Sequence, residues 1–233
     1  MRFAAPLVTG RLIRRYKRFL ADVRLAGGET VVAHCPNPGA MLGLTDAETE
    51  VWLSRSDDPK RVLPWSWELA SHQGGLVGIN TARPNRLAEE AIADGAVAEL
   101  TGYDTIRREV RYGENSRVDL VLGRRNGEQC YVEIKNAHLM RERGLAEFPD
   151  CVTARGAKHL KELAGLAAKG VRAVVLFVVQ RGDAHSFAVA GDLDPAFAAG
   201  LKAARAAGVE TLCYGCALSP EQIVLDRSLP VAA

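Results

Sequence analysis

Residues 116–122 read Ser-Arg-Val-Asp-Leu-Val-Leu, and residues 130–136 read Cys-Tyr-Val-Glu-Ile-Lys-Asn. Both are short runs rich in Val, Ile, Leu and Tyr, the composition of β-strands, and each carries an acid inside its apolar stretch. Asn126-Gly127 between them is a hairpin signal, because both residues tolerate positive φ. Glu133 and Lys135 are two apart, so on a strand they leave the same face. Asp119, on the partner strand, can reach the same end of the sheet. Charges in a central β-run are costly to bury unless paired or bound to metal. Asp119 and Glu133, with a backbone carbonyl and waters, make the oxygen-rich donor set that Mg²⁺ takes. Lys135 beside them can position a water or stabilise charge developing on a phosphorane. Asp119, Glu133 and Lys135 are therefore the candidate catalytic set for metal-assisted phosphodiester hydrolysis, with Mg²⁺ or Mn²⁺ as cofactor. The plainer alternative is that the two acids pair with Arg117 and Lys135 on a solvated sheet face.

Around this hairpin the periodicity predicts an α/β sandwich with a mixed sheet. Arg83 to Asp94 reads as a helix with Leu87, Ala88, Ala91 and Ile92 on one face, Pro84 in the first turn and Gly95 at the end. Three strand-like runs follow at Thr105–Tyr112, Arg117–Leu122 and Cys130–Ile134. A helix from about Thr153 to Lys169, a buried strand at Ala173–Gln180, a helix at Pro195–Ala207 and a strand at Glu210–Tyr214 complete the series. On the second helix Arg155, Lys158 and His159 stand at i, i+3 and i+4 and share a face that could hold a phosphate.

The first 80 residues read as β. Arg11 to Leu25 reads as one long strand closed by Gly27-Gly28, followed by strands at Thr30–His34, Glu50–Arg55, Pro64–Ala70 and Leu76–Asn80. Pro36-Asn37-Pro38-Gly39 is a rigid loop. About five short strands fit a small closed barrel, with an OB-type barrel ahead of an SH3-like one. The division is thus 1–80, a barrel, and 81–233, the α/β domain.

Composition sets the class. The 233 residues are 48% apolar and 25% charged, ordinary for a globular protein, and hold no apolar stretch of membrane-spanning length. The opening lacks a signal-peptide pattern, and five scattered cysteines suit a reducing cytoplasm. Cys213 and Cys216 form a lone CxxC without a second ligand pair and read as structural. The net charge is +2, but residues 1–20 carry Arg2, Arg11, Arg14, Arg15, Lys17 and Arg18 with no acid, while residues 81–233 hold 20 basic and 20 acidic residues. A concentrated basic opening suggests a polyanion partner. Arg14, Arg15, Tyr16, Lys17 and Arg18 interleave cations with a ring, as single-strand binders do. On one long strand, Arg14, Tyr16 and Arg18 would share a side.

The hairpin resembles the PD-(D/E)XK nuclease-like core, with Val118 where a Pro is usual. Nearly end to end, the chain also resembles the sugar fermentation stimulation protein A (SfsA) family. The segments that carry this are RRYKRFLADV (14–23), AHCPNPGAM (33–41), SRVDLVL (116–122), YVEIKN (131–136), FPD (148–150) and TARGAKHLKEL (153–163). The resemblance implies an OB-like domain followed by a nuclease-like domain, binding to double- or single-stranded DNA with little sequence preference, and a link to sugar-utilisation genes. It points to Glu90 of the first helix as a third metal ligand beside Asp119 and Glu133. It leaves cleavage of DNA or RNA open as the alternative function. A sugar- or nucleotide-processing enzyme ranks last, since no nucleotide-binding loop occurs.

Overall fold

Lys17 and Arg18 both sit at positive φ, +46° and +65°, so the expected long first strand folds back on itself. The computed structural model, which describes residues 1–113 and 116–232, has instead a tight hairpin, β1 (Val8–Tyr16) and β2 (Leu20–Leu25), paired from Gly10↔Leu25 to Tyr16↔Leu20. The alternation read across residues 14–19 therefore stops at Tyr16, and Arg18 does not share a strand face with Arg14. Next come β3 (Thr30–His34), β4 (Glu50–Arg55), β5 (Trp65–His72) and β6 (Gly75–Gly78). The ring closes in the order β1-β2-β3-β5-β4, through a parallel β3–β5 contact and the antiparallel β4–β1 pair. This is a five-stranded closed OB barrel. Its fifth strand comes from splitting the first run, and β6 is an appended hairpin arm. Leu12, Val23, Val51, Leu53 and Trp67 fill the interior, all fully buried.

The second domain opens with α1 (Pro84–Ala93), then β7 (Thr105–Tyr112), β8 (Ser116–Gly123), β9 (Gln129–Ala137), β10 (Leu139–Glu142), β11 (Leu145–Phe148), α2 (Ala154–Ala167), β12 (Arg172–Val179), β13 (Ser186–Val189), α3 (Pro195–Ala206), β14 (Glu210–Leu218) and β15 (Ile223–Ser228). The main sheet runs β15-β14-β12-β9-β8-β7, parallel across β9, β12 and β14 and antiparallel outside them. Helix α1 covers one face through Leu87, Ala88, Ala91 and Ile92, and α2 with α3 covers the other through Leu160, Leu163, Phe197 and Leu201. Strand β12, flanked on both sides and both faces, is the near-continuous apolar run that a doubly covered parallel strand needs. The expected helix and strand order holds. The small sheet β10-β11-β13 escaped the reading, because four-residue strands carry too little alternation to register, and so did the six-residue edge strand β15.

Buried polar contacts dock the two domains. Glu68 of β5, 1% exposed, accepts hydrogen bonds from Ser54, Asn80 and Arg83, and so ties the barrel to the N-terminus of α1. On the other side, Asp150 accepts from the Met41 backbone N–H at 3.0 Å and lies 3.5 Å from His138 Nε2. Gly39 is required beside it, since a Cβ there would stand 2.4 Å from Asp150 Oδ2.

Two predictions follow from this packing. Cys213 and Cys216 stand on opposite faces of β14, each buried in a different core, and burial pushes both thiols up. Purified protein should hold no stoichiometric zinc by elemental analysis; zinc lost in Cys213→Ser would overturn this. For Asp150, burial alone would raise the carboxyl, but His138 and the Met41 N–H outweigh it and hold it at about 2. A depressed acid stabilises the fold above its unfolded pKa of about 3.9 and loses that contribution as pH falls toward 2, in all about 2 kcal/mol. Wild type should exceed Asp150→Asn in urea stability at pH 6, with the gap shrinking below about pH 4. A gap independent of pH would reject the assignment.

Candidate active site

The β8–β9 ladder is in register from Gly123↔Gln129 up to Leu120↔Val132, and Asp119 stands next beyond it. There the side chain takes over from the backbone: Asp119 Oδ2 accepts the Ile134 N–H at 2.7 Å, while Oδ1 accepts from Asn85 Nδ2 of α1 at 2.8 Å. Burial and then the charge of Glu133 push the Asp119 carboxyl above its usual range, against the pull of those two donors.

Glu133 is 2% exposed, in the middle of a sheet. Its Oε1 takes Lys135 Nζ at 2.7 Å and the His159 Nδ1 of α2 in a very short contact. Burial opposes the charged form, but His159 and Lys135 outweigh it and hold Glu133 below its ordinary value. Arg155 Nε points at His159 Nε2, 3.4 Å away. A neutral ring with its proton on Nδ1 satisfies both contacts, and the network assigns that tautomer. Glu133 Oε2 is buried and has no hydrogen-bond partner. A bare carboxylate oxygen inside a fold is costly, so it fits a cation better than a vacancy in the packing.

The structure thus brings together Asp119, Glu133, Lys135 and His159. It does not bring Glu90 to them. The Glu90 carboxylate is held by the Met1 amino group at 2.7 Å and by Arg86 Nε at 2.7 Å, turned toward β15. Asn85, five residues earlier on the helix, occupies the place at Asp119. Glu89 pairs with Arg108 of β7. Among the described residues no third His, Cys, Asp or Glu completes a preformed metal cluster. Two carboxylates with waters remain a donor set of the Mg²⁺ kind.

Other candidates also move. His159 is 5% exposed, so it supports Glu133 rather than lining a phosphate surface. Arg155 is exposed, and Lys158 stands 3.9 Å from Glu162 Oε1. In the barrel, Arg14 pairs with Asp22 and lies over the Tyr16 ring. Arg15 is a strut, donating to the carbonyls of Arg18, Asn37 and Gly39 and so fixing the Pro36–Gly39 loop. Lys17 and Arg18 of the turn are exposed. Two residues were missed. Tyr112 is buried where Glu133, Glu162 and Asp119 all act on it, and burial followed by those charges pushes its hydroxyl up. Glu162, with both carboxylate oxygens buried, lies three residues after His159 on the same helix, a spacing that placed it on that face in advance.

Comparison with known proteins agrees with this layout. Residues 13–79 match the SfsA N-terminal OB domain, and residues 82–222 match the sugar fermentation stimulation protein RE domain. Curated relatives called sugar fermentation stimulation protein homolog include one from Rhodospirillum centenum, 54% identical over 233 residues and covering 100% of both chains. Another, from Maricaulis maris, is 53% identical over 231 residues, covering 99% of this chain and 98% of its own. The solved structure of Pyrococcus furiosus SfsA in complex with Ca²⁺ superposes with a TM-score of 0.90 at 30% identity, covering 100% of this chain and 98% of the other. The order α1-β7-β8-β9, then the β10–β11 pair, α2 and β12 frames Asp119 and Glu133-Ile134-Lys135, and the chain belongs to the sugar fermentation stimulation protein A (SfsA) family, an OB domain followed by an RE domain.

Proposed function

We propose that this protein binds DNA with little sequence preference, in connection with sugar-utilisation genes, and that its second domain hydrolyses phosphodiester bonds with a divalent cation. One observation carries the reading: Glu133 Oε2 is buried and bare beside Asp119, while Oε1 is saturated by Lys135 and His159. Asp119 and Glu133 would hold the cation, and the Ca²⁺ complex of the Pyrococcus furiosus relative supports a hard divalent ion. A bound Mg²⁺ or Mn²⁺ supplies Lewis acidity and an activated water. The residues of the chain do the rest. His159 Nδ1–H and Lys135 hold Glu133 ionised and oriented. Asn85 and the Ile134 N–H hold the Asp119 carboxylate toward the open end of the strand pair. Lys135 Nζ would set its positive charge against the negative charge that develops on the oxygens of a pentavalent phosphorus. The second reading is binding without cleavage, with Lys17 and Arg18 of the hairpin turn left exposed for a polyanion.

Calorimetric titration of Mn²⁺ should show binding that is lost in Asp119→Ala/Glu133→Ala and weakened in Glu133→Ala. Because the Asp119 proton is held more tightly than usual, the cation must displace it at low pH. Affinity should therefore rise with pH through the Asp119 titration and level off above it. Equal binding by wild type and the double mutant would sink the metal site. With plasmid and linear DNA plus Mg²⁺ or Mn²⁺, cleavage abolished in Asp119→Ala supports hydrolysis, and shifted but intact DNA supports the second reading.

The DNA contact itself should be driven by phosphate. Fluorescence anisotropy on two unrelated duplexes should give affinities within a few-fold of each other. Their log–log salt slope should be on the order of −3 to −4 if about four exposed cations, Lys17 and Lys158 among them, engage at ~−0.9 each. Arg14→Ala should change little, since Arg14 already has Asp22. A flat salt response would reject the contact.

A further inference from the structure

A cleft of about 570 Å³ lies between the two domains, walled by Arg18 and the Pro38–Gly39 loop on the barrel side and by Lys135, Phe148 and Arg155 on the other. Three features of it point to one kind of ligand. Its cations come from both walls: Arg18, thrown over the rim by the positive-φ turn, and Arg155, in the first turn of α2. Neither has a carboxylate partner among the described residues. The first turn of α2 carries no acidic residue, and Thr153, its N-cap, lines the cleft, so the positive end of the helix faces the same space. Between these charges Pro38, Phe148 and Pro149 add apolar surface, and Phe148 is half-buried with its ring fixed against Phe177 and Phe197. Phosphate grips on two sides of an apolar wall are what a nucleotide strand needs.

Size selects the form of that strand. The cleft volume equals a sphere of roughly 10 Å across, in the range of pockets that take one drug-sized ligand. A duplex, whose major groove alone is about 12 Å wide, is broader than this cleft and does not enter. Lys135 stands in this cleft and reaches Glu133 Oε1, so a strand lying there passes the candidate active site.

We propose that the interdomain cleft is the path of an unpaired nucleic-acid segment, gripped by Arg18 of the barrel and Arg155 of α2 on its way past Lys135. The proposal rests on the nucleic-acid reading above and adds the strand form and the route.

The chain carries its own reporter. Cys151 is exposed and lines the cleft, while the other four cysteines are buried. The experiment is alkylation of Cys151 in the whole protein, with chelator present, while anisotropy follows binding of the same labelled oligonucleotides. It runs at alkaline pH, because burial and Asp150 hold this thiol above its ordinary value. A 20-nucleotide single strand should slow alkylation at least about fivefold at saturation, and the same sequence as a duplex should not. Arg18→Ala and Arg155→Ala should each weaken single-strand binding by about fivefold and flatten its salt slope by ~0.7. Anisotropy showing binding while Cys151 stays unprotected would overturn the route and leave the nucleic-acid reading standing. Equal protection by the duplex, or by inorganic phosphate alone, would overturn the strand form. No binding of any oligonucleotide would overturn both.

Discussion

A carboxylate 2% exposed in the middle of a six-stranded sheet is the constraint around which the second domain is organised. Removing Glu133 from water costs several kcal/mol unless donors replace the solvent. One donor is local: Lys135, on the same face of β9 by strand alternation. The other is distant: His159 arrives on α2, 26 residues later. Helix α2 must therefore pack on that face of the sheet with one specific rotation, and Leu160 and Leu163 supply the apolar contact that keeps it there. The same rotation carries Arg155 to the outer nitrogen of the imidazole and Glu162 to the neighbourhood of Tyr112. The polar site and the apolar packing of α2 fix each other.

What was legible in the sequence divides along that line. Glu133-Ile134-Lys135 could be read because a period of two is a property of any strand, whatever surrounds it. That Arg155 and His159 are neighbours on α2 could be read because i and i+4 meet on any helix, but not that His159 turns inward to Glu133. Asn85 could not, since nothing in a helix wheel says which neighbouring polar residue meets a strand end. Glu90 was drawn toward the site by the family pattern, but the Met1 amino group and Arg86 compete for it and are closer. The barrel failed differently. A run from Arg11 to Leu25 has the composition of one strand, and only the positive φ of Lys17 and Arg18 breaks it. Neither residue is a glycine or asparagine, so no turn signal marked the place.

That break also redistributes the basic opening segment. Strand residues Arg14 and Arg15 lie where acids and carbonyls of the same barrel can reach them, and they are consumed by Asp22 and by the Pro36–Gly39 loop. Turn residues Lys17 and Arg18 project beyond the sheet edge and keep their charge for solvent. A charge count over residues 1–20 thus overstates the surface available to a polyanion, since Arg14 and Arg15 are taken up within the barrel.

The position of that turn depends on the domain contacts. Arg15 holds the Pro36–Gly39 loop, Asp150 receives the Met41 N–H that follows it, and a side chain at Gly39 would collide with the Asp150 carboxylate. On the opposite side Glu68 grips Arg83 and Asn80 at the start of α1, and α1 presents Asn85 to Asp119. Both acids of the candidate active site are therefore set by elements that the barrel touches: Asp119 through α1, and the Lys135–Glu133 pair through the strand that borders the cleft. A shift of the barrel against the sheet would strain Glu68 and Asp150 together, since the buried Glu68 and the part-buried Asp150 both hold partners across the domain contact. The interdomain contacts of Glu68 and Asp150 thus set the elements that carry Asp119 and border the cleft, while Lys135 and His159 hold Glu133 from within the second domain.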